Sequence, residues 1–151
     1  MFKFESDSRK VQKGQTFIAI KGLTVDGHDF IESAIKNGAS KIICEKDIDF
    51  DIPYEKVEDT DKYLREILNK EYGEKLNEMK LIGVTGTNGK TTSCYLTYQM
   101  LLNMGVDAAY IGTIGYYHKD EHIELNNTTP DILTVYKLLM NAYESGAKTV
   151  V

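Results

Sequence analysis

Apolar positions in the first half of the chain alternate between short continuous runs and stripes at helical spacing. Thr16-Phe17-Ile18-Ala19-Ile20 is β-branched and apolar, and predicts a buried strand that stops at Lys21-Gly22. Phe30, Ile31, Ala34 and Ile35 recur at helical spacing, and Asn37-Gly38 closes that helix. Lys41 to Cys44 predicts a second strand, so a strand–helix–strand unit lies inside the first fifty residues. Residues 46–59 are acidic, contain Pro53 and predict a loop with a short strand near Tyr54 to Val57. Thr60 is placed to cap a helix whose apolar face is Tyr63, Leu64, Ile67, Leu68 and Tyr72, with Gly73 as its stop. Residues 73–79 form the expected boundary between domains at 1–77 and 78–151.

The second half repeats the alternation. Leu81, Ile82 and Val84 predict a strand that opens into a glycine-rich loop. Cys94, Tyr98, Leu101 and Leu102 then line one helical face that ends at Met104-Gly105. Ala108 to Ile114 reads as a strand, and Tyr116 to Leu125 as a polar hairpin turning at Lys119-Asp120. Thr129 suits an N-cap, Pro130 a first helical position and Asp131 a first turn. The helix they open buries Ile132, Val135, Tyr136, Leu139, Met140 and Tyr143 and ends at Ser145-Gly146. Lys148 to Val151 begins another strand. The series predicts an α/β fold: a small α/β domain, then the first part of a P-loop-type parallel-sheet domain. A parallel sheet is covered on both faces, and only three of its strands are foreseen, so the sequence is expected to be a piece of a longer protein.

The loop carries the chemistry. Gly83, Gly86 and Gly89 precede Lys90-Thr91-Thr92, between a strand and a helix. Glycines let several backbone N–H groups converge on one anion, and the helix start adds partial positive charge. A lysine there reaches terminal phosphates, and the next hydroxyl can sit on Mg2+. The strict form GxxxxGK[ST] would put a glycine at Val84, so the spacing here is a variant.

Composition changes the picture only by exclusion. The 151 residues are 42% hydrophobic and 27% charged, with a net charge of −5, enough for a core and against nucleic acid as a partner. Cys44 and Cys94 are far apart and fit a reducing compartment. No apolar run approaches the roughly 18 residues of a membrane span, and the polar N-terminus is no secretion signal, so the cytoplasm is the expected location; a monomer is expected.

Ser6-Asp7-Ser8-Arg9 by itself reads as a turn that bonds its own backbone. His28 reads as a structural hydrogen-bonder. His118, Asp120 and His122 alternate and would share one face of a strand, where a stray divalent metal could bind. Cys44, Cys94, Tyr116 and Tyr117 read as packing residues.

Four stretches, taken together, resemble the Mur ligases, ATP-dependent amide-forming ligases of peptidoglycan synthesis. They are Asp7-Ser8-Arg9; Asp26-Gly27-His28-Asp29-Phe30; GTNGKTT at Gly86 to Thr92; and Asn127-Thr128-Thr129-Pro130-Asp131. The likeness is strongest to the branch that adds the third amino acid to UDP-N-acetylmuramoyl-L-Ala-D-Glu. It implies that domain 1–77 binds the UDP-sugar and that 78–151 begins an ATP-binding central domain. By the resemblance, Gly86, Thr87, Asn88, Gly89, Lys90, Thr91 and Thr92 bind ATP, with Lys90 on the terminal phosphates and Thr91 on Mg2+. Ser6, Ser8, Leu23, Thr24, Val25, Asn127, Thr128 and Thr129 would hold the UDP-N-acetylmuramoyl-dipeptide. A helix start at Thr128-Thr129 also suits an anionic substrate. The implied reaction passes through an acyl phosphate that the amino group of meso-diaminopimelate or L-lysine then attacks. A glutamate metal ligand, a carbamylated lysine and the amino-acid-binding domain would follow Val151, so the chain alone is expected not to ligate.

Two alternatives stay open. One is a related ligase of the folylpolyglutamate synthetase type, which shares the loop but starts close to it. The other is a non-catalytic module that keeps a nucleotide loop.

Overall fold

The computed structural model describes residues 2–22, 25–125 and 130–151. The chain forms two compact units, Met1–Leu68 and Asn69–Val151.

The first unit is a four-stranded parallel sheet in the order β1 (Phe4–Glu5), β2 (Thr16–Ile18), β3 (Lys41–Cys44) and β4 (Tyr54–Lys56). The predicted strand–helix–strand unit is β2, α1 (Ile31–Lys36) and β3, and a 3-10 turn, Gly27–Phe30, leads into α1. Gly38, at φ +101, follows the helix end, a backbone state that a side chain would resist. β2 is shorter than expected: the Ala19 amide still bonds the Ile43 carbonyl at 2.9 Å, but the Ile20 amide turns back to the Ile18 carbonyl at 3.1 Å. Phe17, Ala19, Ile42 and Cys44 pack with Val11, Ile31 and Ala34 in one cluster. Alternation turns Ile18 and Ile43 to the opposite face, where they are also buried, so the sheet is covered on both sides.

α2 (Thr60–Leu76) departs from expectation at both ends. Asp59, not Thr60, caps it: Asp59 Oδ1 accepts the Lys62 amide at 2.9 Å. Thr60 is fully buried, and its hydroxyl bonds Glu45 Oε1 at 2.9 Å and the Ala19 carbonyl at 3.2 Å. Gly73 does not stop the helix, which runs three residues further to bury Leu76. An isolated helical glycine costs only about 1 kcal/mol, which burial of a leucine offsets.

The second unit is a five-stranded sheet in the order β5 (Lys80–Leu81), β9 (Thr149–Val150), β6 (Ala108–Gly112), β7 (Gly115–His118) and β8 (Glu121–Ile123). β5, β9 and β6 are parallel, as foreseen. β7 and β8 extend the sheet antiparallel. The hairpin at Lys119-Asp120 was legible, but the turn joining β6 to β7 was not. α3 (Lys90–Asn103) and α4 (Ile132–Glu144) are the two crossovers. Because β9 inserts between β5 and β6, the two crossovers run in opposite directions, and right-handedness places α3 and α4 on opposite faces.

Tyr98 of α3 is buried with Ala108, Tyr110 and Val151, and Cys94, Tyr95 and Leu101 pack around them. Leu102 is 39% exposed instead, and Tyr95 takes its place on the inner face. α4 is capped by Asp131, whose carboxylate accepts the Thr134 amide and hydroxyl at 2.9 and 2.6 Å. The expected cap, Thr129, lies outside the described residues, and Pro130 precedes the cap. α4 buries Leu133, Leu138 and Ala142 besides the expected Leu139 and Met140.

Candidate functional site

In the second unit, the backbone leaves the sheet after Ile82, whose amide still bonds the Val150 carbonyl at 2.8 Å. Residues 83–89 then form an exposed loop. Gly86 (φ +153) and Gly89 (φ +76) hold positive φ, and a Cβ on Gly83 or Gly89 would meet nothing within 4 Å. The left-handed Gly89 is the N-cap of α3, and the first helical bond runs from the Ser93 amide to the Gly89 carbonyl at 2.8 Å. The amides of Lys90, Thr91 and Thr92 precede that bond, so the helix offers them no carbonyl. Lys90 Nζ folds back on the Gly86 carbonyl at 2.5 Å. Its ammonium therefore lies across the loop.

The loop rims a cavity of about 310 Å3 at the C-terminal ends of the parallel strands, where ligands bind open α/β sheets. Lys90, Thr91 and Cys94 line one wall, Tyr110 to Thr113 another, and Val135 and Leu139 of α4 a third. Thr91 Oγ1 lies 2.9 Å from Thr113 Oγ1. Of the predicted residues Gly86 to Thr92, Lys90 and Thr91 line the cavity, while Gly86 to Gly89 form the exposed loop beside it, so loop amides, an ammonium and a hydroxyl lie along one stretch. A triphosphate and a hard cation match that donor set in charge and type. Thr113 was missed in the sequence, although the glycines at 112 and 115 mark a tight turn there.

In the first unit, Ser6 and Ser8 leave the C-terminal end of β1, and Val25 lies in the loop leaving β2. β1 and β2 are parallel neighbours, so both loops emerge from the same sheet edge. The Asp7 carboxylate accepts the Arg9 amide at 3.1 Å and its guanidinium at 2.9 and 2.8 Å, which hold Asp7 below the usual carboxylate range. Ser8 is buried and its carbonyl accepts from Asn37 Nδ2 at 2.8 Å. Val25 is 53% exposed, with its carbonyl on the Gly22 amide at 2.9 Å. Leu23, Thr24, Asn127, Thr128 and Thr129 lie outside the described residues.

His28 is structural, as expected: its ring bonds Asp26 Oδ1 at 2.5 Å and accepts the Glu45 amide at 2.9 Å. The metal reading of His118, Asp120 and His122 does not hold. The turn falls between the histidines, so His118 pairs with Glu121 and Tyr117 with His122, and the two rings point to opposite faces. His118 is buried on Asp107 at 2.7 Å, and His122 stacks on Tyr117. Among the described residues no group of three or more His, Cys, Asp or Glu could hold a metal.

A model of the Mur ligase family, catalytic domain, matches residues 4–79, and one of the Mur ligase middle domain matches residues 84–151. The chain belongs to the Mur ligase family. Among curated Mur ligases, the UDP-N-acetylmuramoyl-L-alanyl-D-glutamate–2,6-diaminopimelate ligase of Bacillus cereus is 40% identical over 147 residues, 97% of this chain and 30% of the relative. That of Listeria innocua is 41% identical over 145 residues, 96% of this chain and 30% of the relative. A solved structure of a ligase of that name superposes with a TM-score of 0.75 at 28% identity, over 99% of this chain and 31% of the other. The MurF ligase of Thermotoga maritima in complex with ADP gives 0.65 at 28% identity, over the same shares. The chain therefore spans about 30% of the length of the curated relatives it matches.

Proposed function

We propose that this chain supplies the UDP-sugar-binding and ATP-binding parts of a ligase that joins an amino acid to UDP-N-acetylmuramoyl-L-Ala-D-Glu in the cytoplasm, as part of peptidoglycan synthesis. The observation that carries the reading is the cradle at Gly86 to Thr92, set at the C-terminal edge of the parallel strands. The names of the relatives favour 2,6-diaminopimelate over L-lysine as the incoming amino acid. The likeness to an ADP complex supports an adenine nucleotide.

In this reading Ser6, Ser8, Leu23, Thr24 and Val25 of residues 1–77 bind the UDP-sugar, and Asn127, Thr128 and Thr129 of residues 78–151 also contact it. The amides of Gly86 to Thr92 hold the phosphates of ATP. Lys90 moves from the Gly86 carbonyl to the terminal phosphates, and Thr91 holds Mg2+, which supplies charge neutralisation. The substrate carboxylate attacks the γ-phosphate and ADP leaves; the amine then attacks the acyl carbon, so that the amide bond forms, phosphate leaves and the nitrogen loses a proton. The chain contributes positioning and fixed positive charge, the main contributions in phosphoryl transfer. The protein acts as a monomer.

The test is calorimetric titration of the chain with ATP and Mg2+, and separately with UDP-N-acetylmuramoyl-dipeptide and with a folate. Saturable binding of ATP and of the UDP-sugar is expected, and folate should not bind. Folate retention without UDP-sugar retention would favour the folylpolyglutamate type.

A further inference from the structure

The hydroxyl pair at the cavity wall has a consequence for how a cation would be held. A threonine hydroxyl that gives a lone pair to a divalent cation still carries its proton, and that proton needs an acceptor. In a helix the usual acceptor is the carbonyl one turn back. Thr91 instead meets Thr113 Oγ1 at 2.9 Å, from a different element.

That meeting is built by the surrounding structure. Gly112 pairs with Gly115 across the β6–β7 turn, leaving Thr113 and Ile114 as its two tip residues. Gly115 holds φ +117, and a Cβ there would lie 2.6 Å from the Ile123 carbonyl oxygen. A Cβ on Gly112 would lie 2.4 Å from Tyr110 Oη. The Tyr110 ring packs at 5.7 and 6.1 Å against Tyr95 and Tyr98 of α3. Thus the strand that presents Thr113 is locked to the helix that presents Thr91.

We infer that Thr113 is a positioning residue: its hydroxyl accepts the Thr91 proton and so turns the Thr91 lone pairs toward the cation. The inference rests on the proposed role of Thr91 as a Mg2+ ligand. Outer-shell partners of metal ligands typically carry a factor of about 10–100 in metal affinity.

The experiment measures ADP affinity of the chain by calorimetry, in EDTA and across a Mg2+ series, for wild type, Thr113→Val, Thr113→Ser and Thr91→Val. Thermal melts confirm that each variant is folded. The expected result is a Mg2+ requirement raised about tenfold in Thr113→Val, with Thr113→Ser near wild type and metal-free affinity unmoved in both. Thr113→Val should add nothing in a Thr91→Val background. If Thr91→Val removes the Mg2+ effect but Thr113→Val leaves it intact, the positioning role is overturned and the reading of Thr91 stands. If Thr91→Val itself leaves the Mg2+ effect intact, Thr91 is not the ligand and both fall.

Discussion

The imidazole of His28 bonds Asp26 Oδ1 through Nδ1 at 2.5 Å, and its Nε2 accepts the Glu45 amide at 2.9 Å. Since an amide can only donate, the ring proton sits on Nδ1 and points at Asp26. The ring therefore joins the loop after β2 to the end of β3. Replacing it leaves the Glu45 amide and the Asp26 carboxylate without this partner. We predict that His28→Ala lowers the stability of the chain by about 1–3 kcal/mol, measured as a lower urea midpoint. A midpoint equal to wild type would show that the ring only fills space.

The same corner sets a pH dependence. Glu45 Oε1 accepts both the amide and the hydroxyl of Thr60 at 2.9 Å, which holds its carboxyl below the ordinary 4.5. Asp26 is held well below its ordinary value, first by the His28 amide and then by Lys46 and the His28 ring. With folded values lowered, the unfolded chain binds more protons in acid. The stabilisation is thus complete above the unfolded values and is lost as pH falls through the folded ones. The urea midpoint should fall as pH drops below 4.5, and fall less steeply in Glu45→Gln. Parallel curves for the two proteins would rule Glu45 out as a source.

Gly112→Ala should cost about 1–3 kcal/mol, because the new methyl would overlap Tyr110 Oη and the ring is held by two tyrosines of α3. Thermal denaturation reads the loss. An unchanged midpoint would mean that the ring has room to move.

Asp131→Ala removes the only described side-chain bonds at the start of α4, those to the Thr134 amide and hydroxyl. A loss of about 1 kcal/mol in chemical denaturation is expected, and Asp131→Asn should keep most of the wild-type stability. Equal losses in the two variants would point to charge rather than capping.

Much of the fold was legible because period and punctuation agree. β3, α1 and the end of α3 fall where apolar runs and glycines put them, and the exposed loop between β5 and α3 follows from glycine spacing before Lys90. What escaped the sequence depended on contacts between distant residues. Thr60 looks like a cap until Glu45 claims its hydroxyl. Gly73 looks like a stop until Leu76 is buried beyond it. The β6–β7 turn takes Thr113 and Ile114 from the end of a run that reads as strand through Ile114, so the pairing of that strand with the hairpin after it is not visible. His118 and His122 look alike until the turn between them reverses the alternation. Thr113 reaches the site only through tyrosine packing that no local pattern encodes.

The central claim is that the segment around Lys90 holds a nucleotide's phosphates. Lys90 is half-buried at the cavity wall and its ammonium bonds only a loop carbonyl among the described residues, so removing its side chain should leave the fold intact. The deciding measurement is the affinity of the chain for ATP with Mg2+, before and after Lys90→Ala. A charge-assisted contact worth about 1.5–3 kcal/mol predicts a loss of at least about tenfold, with an unchanged melting temperature. Equal affinity in the two proteins would contradict the claim.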